Sequence, residues 1–164
     1  MISIEKVTVN IGVGGAGEKL EKAKKLIAKL TEHQPVETLC TQRIPSWEIR
    51  KGMAIGAKVT LRGEDAEKFV NRCLDALNRK IEGRAFDNAG NFSFGIKEYI
   101  DIPGFKYDPE IGMFGFDVCV TLGKWGYRVK RRKRLKASIP KRHVLGKKDA
   151  MDFVRKKLNV EVIE

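Results

Sequence analysis

The sequence predicts an α+β fold, a two-layer arrangement with a mostly antiparallel sheet carrying helices on one face and leaving the other open. Two observations lead there. Several segments alternate apolar residues with small or polar ones, the period-two mark of strands with one buried face. The helical segments each carry a single apolar stripe, so each has one face to bury. With 164 residues and 42% hydrophobic content, the chain supports one ordinary core, and it reads as a single domain over 1–164.

Val7, Val9, Ile11 and Val13 alternate with Thr8, Asn10 and Gly12 and predict the first strand. Residues 18–31 place Leu20, Ala23, Ile27 and Leu30 on one stripe, an amphipathic helix that His33, Gln34 and Pro35 end. A short strand is expected over Pro35 to Gln42. Arg43 to Gly52 mixes Pro, Ser, Trp and charge without period and reads as a mobile loop. Met53, Ile55, Ala57, Val59 and Leu61 alternate with Ala54, Gly56, Lys58, Thr60 and Arg62, giving a second clear strand. Ala66, Phe69, Val70, Cys73, Leu74 and Leu77 follow at helical spacing behind the acidic turn Glu64, Asp65 and Glu67. Two further strands are expected over Phe92 to Ile100 and from Phe114 to Leu122. A short helix through Ala150, Phe153, Val154 and Leu158 follows, then a final edge strand over Val160 to Ile163.

The formal charge is +12, and it is local. Residues 124–148 hold twelve Lys/Arg and no acid, whereas residues 1–123 carry 18 basic against 17 acidic groups. Cations at that density repel one another unless a polyanion neutralises them. Trp125, Tyr127, Val129, Leu135, Ile139 and Pro140 interrupt the run, so it is neither a disordered tail nor a simple helix. Arginine forks match phosphate geometry, and Trp125 and Tyr127 are candidates to stack on bases. A solvated loop and an acidic membrane surface are the competing readings. No lipid-facing amphipathic helix accompanies the charge, so nucleic acid is preferred. The open sheet face offers Lys6, Thr8, Asn10, Lys58, Thr60 and Arg62, short donors that let a rigid RNA helix come close.

Other chemistry finds less support. No stretch approaches the ~20 apolar residues of a membrane span, and the start lacks the pattern of a secretory signal. Cys40, Cys73 and Cys119 lie far apart among apolar neighbours and are expected as buried thiols of a reducing cytosol. His33 and His143 have no metal-ligand spacing, so no metal is expected. Gly12, Gly14 and Gly17 spell G-x-G-x-x-G between strand and helix, with Glu37 twenty residues on, which is the context of a pyrophosphate site. A dinucleotide-binding first strand is buried on both faces, though, and this one alternates. A nucleotide-dependent enzyme remains the runner-up, and a generic basic nucleic-acid chaperone the third reading. No cofactor and no catalytic residue are assigned.

VTVNIGVGGAG at 7–17, IRKGMAIGAKVTLRG at 49–63, FDNAGNFSFGIKEYIDIPG at 86–104 and GYRVKRRKR at 126–134 together resemble the large-subunit ribosomal protein L-five family. The basic run and the lack of an N-terminal helical extension resemble its archaeal and eukaryotic branch. The resemblance implies a cytoplasmic, non-catalytic constituent of the large ribosomal subunit. Its partners would be 5S rRNA, 23S rRNA, neighbouring ribosomal proteins of the central protuberance, and P-site tRNA. Asn10 and Thr60 match family positions on the 5S-binding face, where alternation had already put them. The loop reaching tRNA corresponds to residues 44–55, with Arg50 and Lys51 as phosphate contacts beside Trp47 and Gly52. Arg128, Lys130, Arg131, Arg132, Lys133 and Arg134 complete the expected rRNA-binding set.

Overall fold

A computed structural model describes residues 2–163. Strand β1 (Ile2–Gly12) is followed by helix α1 (Glu18–Thr31), β2 (Val36–Leu39), β3 (Ala54–Leu61), α2 (Gly63–Ala76), β4 (Lys80–Glu82), β5 (Phe92–Ile96), β6 (Phe116–Lys124), α3 (Lys147–Leu158) and β7 (Glu161–Ile163). Five strands form one mostly antiparallel sheet in the order β2-β3-β1-β6-β5, and β4 pairs with β7 in parallel. The fold is α+β, as the alternating and helical patterns required.

Among the described residues the chain forms two compact units, one of residues 2–7, 62–94 and 119–163, the other of residues 8–61 and 95–118. In the second unit, Val9, Ile11, Ala57, Val59 and Leu61 are buried at every other position, and α1 contributes Leu20, Ala23, Leu26, Ile27 and Leu30 to the same core. Helix α1 ends where Glu32 adopts a left-handed conformation (φ 58°) and its N–H bonds Ala28 O at 2.8 Å, satisfying a carbonyl of the last turn. β2 lies antiparallel to β3 with Val36 opposite Lys58 and Thr38 opposite Gly56. A side chain at Gly56 would strike Ile11 O at 2.6 Å and Thr38 Oγ1 at 2.8 Å, so close strand packing demands glycine.

The first unit buries Ala66, Phe69, Val70, Cys73 and Leu74 of α2 and Ala150, Val154 and Leu158 of α3, together with Ile4, Val7, Val120 and Leu122. Burial pushes the Cys73 thiol up to about 12, so it stays protonated at neutral pH. Asp87 Oδ1 accepts the N–H groups of Ala89 and Asn91 at 2.9 and 2.7 Å, closing the turn before β5.

Four expectations need correction. β5 stops at Ile96 and gives way to a 3-10 turn at Tyr99–Asp101, where the Tyr99 hydroxyl accepts the N–H of Asp108 at 2.9 Å. β6 begins at Phe116 rather than at Phe114. Cys119 is exposed, because β6 alternates and puts Asp117 and Cys119 opposite to the buried Val118 and Val120. The segment 43–52 is more regular than its composition suggested. Ile44 and Ile49 bridge each other in antiparallel fashion (N···O 2.9 and 3.1 Å) around a 3-10 turn at Pro45–Trp47.

Candidate nucleic-acid interface

The polar face of the second unit follows from strand parity. With Val9 and Ile11 inward on β1 and Ala57, Val59 and Leu61 inward on β3, Thr8, Asn10, Lys58 and Thr60 share the outward face. Lys58 and Thr60 are exposed, and Thr8 and Asn10 are half-buried. Two shallow clefts open on residues of this face. One, of about 520 Å³, is lined by Asn10, Gly12, Gly95, Lys97, Gly115 and Asp117, and its glycines keep the floor low. The other, of about 330 Å³, gathers His33, Gln34, Val36, Lys58 and Thr60. His33 Nδ1 lies 2.7 Å from Thr31 O, so Nδ1 carries the proton and donates, which leaves Nε2 for another partner. Sequence reading assigned no role to His33, Gln34, Lys97 or Asp117 here, since nothing in local spacing ties the end of α1 to β3.

At the tip beyond β2, Gly52 N–H bonds Cys40 O at 2.8 Å and Cys40 N–H bonds Met53 O at 2.8 Å, which closes the base of the loop. Ile49 is buried beneath it, while Trp47 is 70% exposed. Arg50, Lys51 and Gly52 are exposed as well. The indole therefore does not anchor the loop; Ile49 does.

In the first unit, Arg62 is exposed at the start of α2, and Lys6 is half-buried on β1. The alternation of β1 breaks at this point, with Ile4 and Val7 buried and Glu5 and Lys6 half-buried between them. The basic segment 124–148 is pinned at its base. Tyr127 is buried and its hydroxyl accepts the N–H of Leu145 at 2.6 Å, and Leu145 is itself fully buried. Gly90 adopts φ +77°, and a side chain there would meet Leu145 at 2.7 Å. Lys130 Nζ sits 4.4 Å from the Tyr127 ring centroid, and His143 meets the same ring edge-on at 6.1 Å. Tyr127 is thus an internal anchor and not a stacking surface for bases. The reason lies in contacts that local sequence does not display, a partner eighteen residues away.

Between the pins, Arg128 and 130–138 stand exposed. Arg131 is engaged by Glu5 in a two-pronged ion pair, and Arg132 Nε donates to Leu135 O at 2.7 Å. Arg128, Lys133 and Arg134 present their charge to solvent. At the glycine turn after β1, the N–H groups of Val13 and Gly14 donate to Ile55 O at 2.9 and 3.0 Å, so these two amides serve the strand junction. Among the described residues, no group of three or more His, Cys, Asp or Glu has the arrangement to hold a metal ion, and no helix is long and apolar enough to cross a membrane.

An α+β fold with an outward polar sheet face and a tethered cationic arm defines a basic protein built to present surfaces, the class into which many ribosomal proteins fall. The chain belongs to the ribosomal protein L5 family. Residues 1–50 match the family's model of ribosomal protein L5, and residues 54–153 match its separate model of the family C-terminus. It is 52% identical to the large ribosomal subunit protein uL5 of Sulfurisphaera tokodaii, over 99% of this chain and 93% of the relative. The proteins of the same name from Sulfolobus acidocaldarius and Methanococcus maripaludis are 48% and 47% identical, covering 92% and 90% of their lengths and nearly all of this chain. The family is one of structural ribosomal proteins and not of enzymes.

Proposed function

We propose that this chain is a structural constituent of the large subunit of the cytoplasmic ribosome, where it holds 5S rRNA in the central protuberance. It touches 23S rRNA and neighbouring ribosomal proteins there, and its 44–55 loop reaches P-site tRNA. The observation that carries the 5S reading is the strip Thr8, Asn10, Lys58 and Thr60, outward on two adjacent strands with glycines in the cleft beside it. Short polar side chains let an A-form helix come close enough for contact with 2′-hydroxyls and phosphates, which is how duplex RNA is read by shape. The arm at 128–134 adds sequence-independent attraction to phosphates. Filter binding tests the division of labour. Asn10→Ala and Thr60→Ala should lower affinity for 5S rRNA more than for an unrelated RNA duplex. An unchanged ratio would remove the sheet face as the reading surface.

A further inference from the structure

In the first unit, the beginning of β1 and the turn that leaves β6 enclose a cleft of about 390 Å³ lined by Glu5, Gly123, Trp125, Tyr127, Arg128 and Arg131, among others. Trp125 is 89% exposed, although its backbone is fixed by His143 Nε2, which donates to Trp125 O at 2.9 Å. A large aromatic ring held in water on a fixed backbone gives up the stabilisation that burial provides, unless a partner covers it. The cleft beside it is kept free by Gly123. A Cβ there would lie 3.3 Å from Glu5 Oε2 and 3.9 Å from Tyr127 Cδ2, so a larger side chain would occupy the space.

Glu5 is the single acid among the lining residues, with its side chain only 19% exposed. It sits where residues 124–148 bring twelve cations and no acid. Its two-pronged pair with Arg131 engages both carboxylate oxygens. A carboxylate has about four lone-pair sites, so about two remain for another donor.

We propose that this cleft receives one unpaired RNA base, stacked on Trp125, with its exocyclic amino group donating to Glu5 and its phosphate on Arg128. The proposal rests on the RNA-binding reading above and adds to it a site for a base. Each lining group fits one part of a nucleotide. The indole matches a base plane, the arginine matches a phosphate, and the carboxylate only accepts hydrogen bonds. Adenine, cytosine and guanine carry an amino donor. Uracil offers a single N3–H flanked by two carbonyl oxygens, which a carboxylate repels. The cleft therefore discriminates against uracil.

The test uses the full chain with Trp47→Phe, so that Trp125 is the one indole reporter. Titration with oligoadenylate and oligocytidylate hexamers should quench its fluorescence, with affinity at least about tenfold above that of oligouridylate, as one charge-assisted hydrogen bond predicts. Glu5→Gln should keep the quenching and level the preference. Trp125→Ala, followed by anisotropy of a labelled hexamer, should weaken binding about tenfold, the scale of one stacked base. Gly123→Ala places one methyl group in the cleft, 3.3 Å from Glu5 Oε2, without changing the formal charge, and should weaken quenching. Equal quenching by the three hexamers, or a preference that survives Glu5→Gln, overturns the proposal. Quenching by a ribosomal protein and by no oligonucleotide assigns the cleft to a protein and overturns it too. Filter binding of 5S rRNA to the same protein separates the two levels: full 5S affinity with silent hexamers sinks the base cleft alone, whereas no binding to any RNA sinks the underlying reading with it.

Discussion

The phenol oxygen of Tyr127 accepts the backbone N–H of Leu145 at 2.6 Å, and beside the bond from His143 Nε2 to Trp125 O it ties the two ends of the basic arm together. Both partners are buried, so the acceptor matters beyond its own bond. Tyr127→Phe leaves the Leu145 N–H buried and unsatisfied, which should cost about 1–3 kcal/mol in urea unfolding. The same variant should speed tryptic cleavage after the exposed Arg132 and Arg134. Digestion at the wild-type rate would show that the arm is held without this tether.

The Lys29–Asp108 pair, at 2.8 Å, predicts a pH dependence. The Lys29 ammonium, and after it the backbone N–H of Glu110, holds the Asp108 carboxyl below its ordinary 3.8, and Asp108 in turn raises Lys29 above 10.5. A depressed carboxyl contributes stability that is complete above its unfolded value and lost as pH falls through the lower folded one. The raised amine contributes stability that is complete below 10.5 and is lost as pH rises through its higher folded value. The difference in urea midpoint between wild type and Asp108→Asn should therefore be steady near neutral pH and vanish in strong acid. A difference that persists in strong acid would mean that the pair is not its source.

Charge on the arm should govern affinity for RNA in general. Arg131→Ala, Arg132→Ala and Lys133→Ala combined should weaken binding to all RNAs and flatten the salt slope by about 2 to 3 units, as lost phosphate contacts release fewer counterions. Because Glu5 already neutralises Arg131, that residue alone should change the slope least of the three. Salt titrations of single and triple variants measure both statements.

At the tip beyond β2, burial ranks the mutations. Ile49→Ala should cost about 2–5 kcal/mol, as truncation of a buried isoleucine does, whereas Trp47→Ala should barely move the melting temperature because the indole is exposed. Arg50→Ala with Lys51→Ala should leave stability and 5S rRNA binding nearly intact while weakening P-site tRNA retention on isolated large subunits. Retention equal to wild type would remove the tRNA role.

The strands and helices with strict periodicity were legible in the sequence because one buried face imposes its period on the residues. β1 from Val7 onward, β3, α1 and α2 are of this kind. β4, three residues long, left no such trace, and its partner β7 lies some eighty positions away. The outward strip on β1 and β3 was legible for the same reason of parity. The cleft at Glu5 was not, because β1 loses its alternation there and because the partner, Arg131, is 126 residues distant. Tyr127 and Trp125 look alike in sequence, two aromatics among cations, yet one is interior and the other almost bare. Only the distant Leu145 separates them.

The parallel pairing of β4 with β7 also sets an order of events during synthesis. The second unit has all its residues once position 118 has left the ribosome. β4, by contrast, has β7 as its one strand neighbour among the described residues, and Arg79 just before it donates to Leu158 O at 3.0 Å and accepts the N–H of Glu161 at 2.8 Å. Those bonds await translation of some eighty further codons, a delay of about 4 to 16 seconds at ordinary elongation rates of 5–20 residues per second. For that interval the backbone at Lys80–Glu82 is an unpaired edge, and the nascent chain carries its cationic arm into the cell before the strand that completes this unit exists.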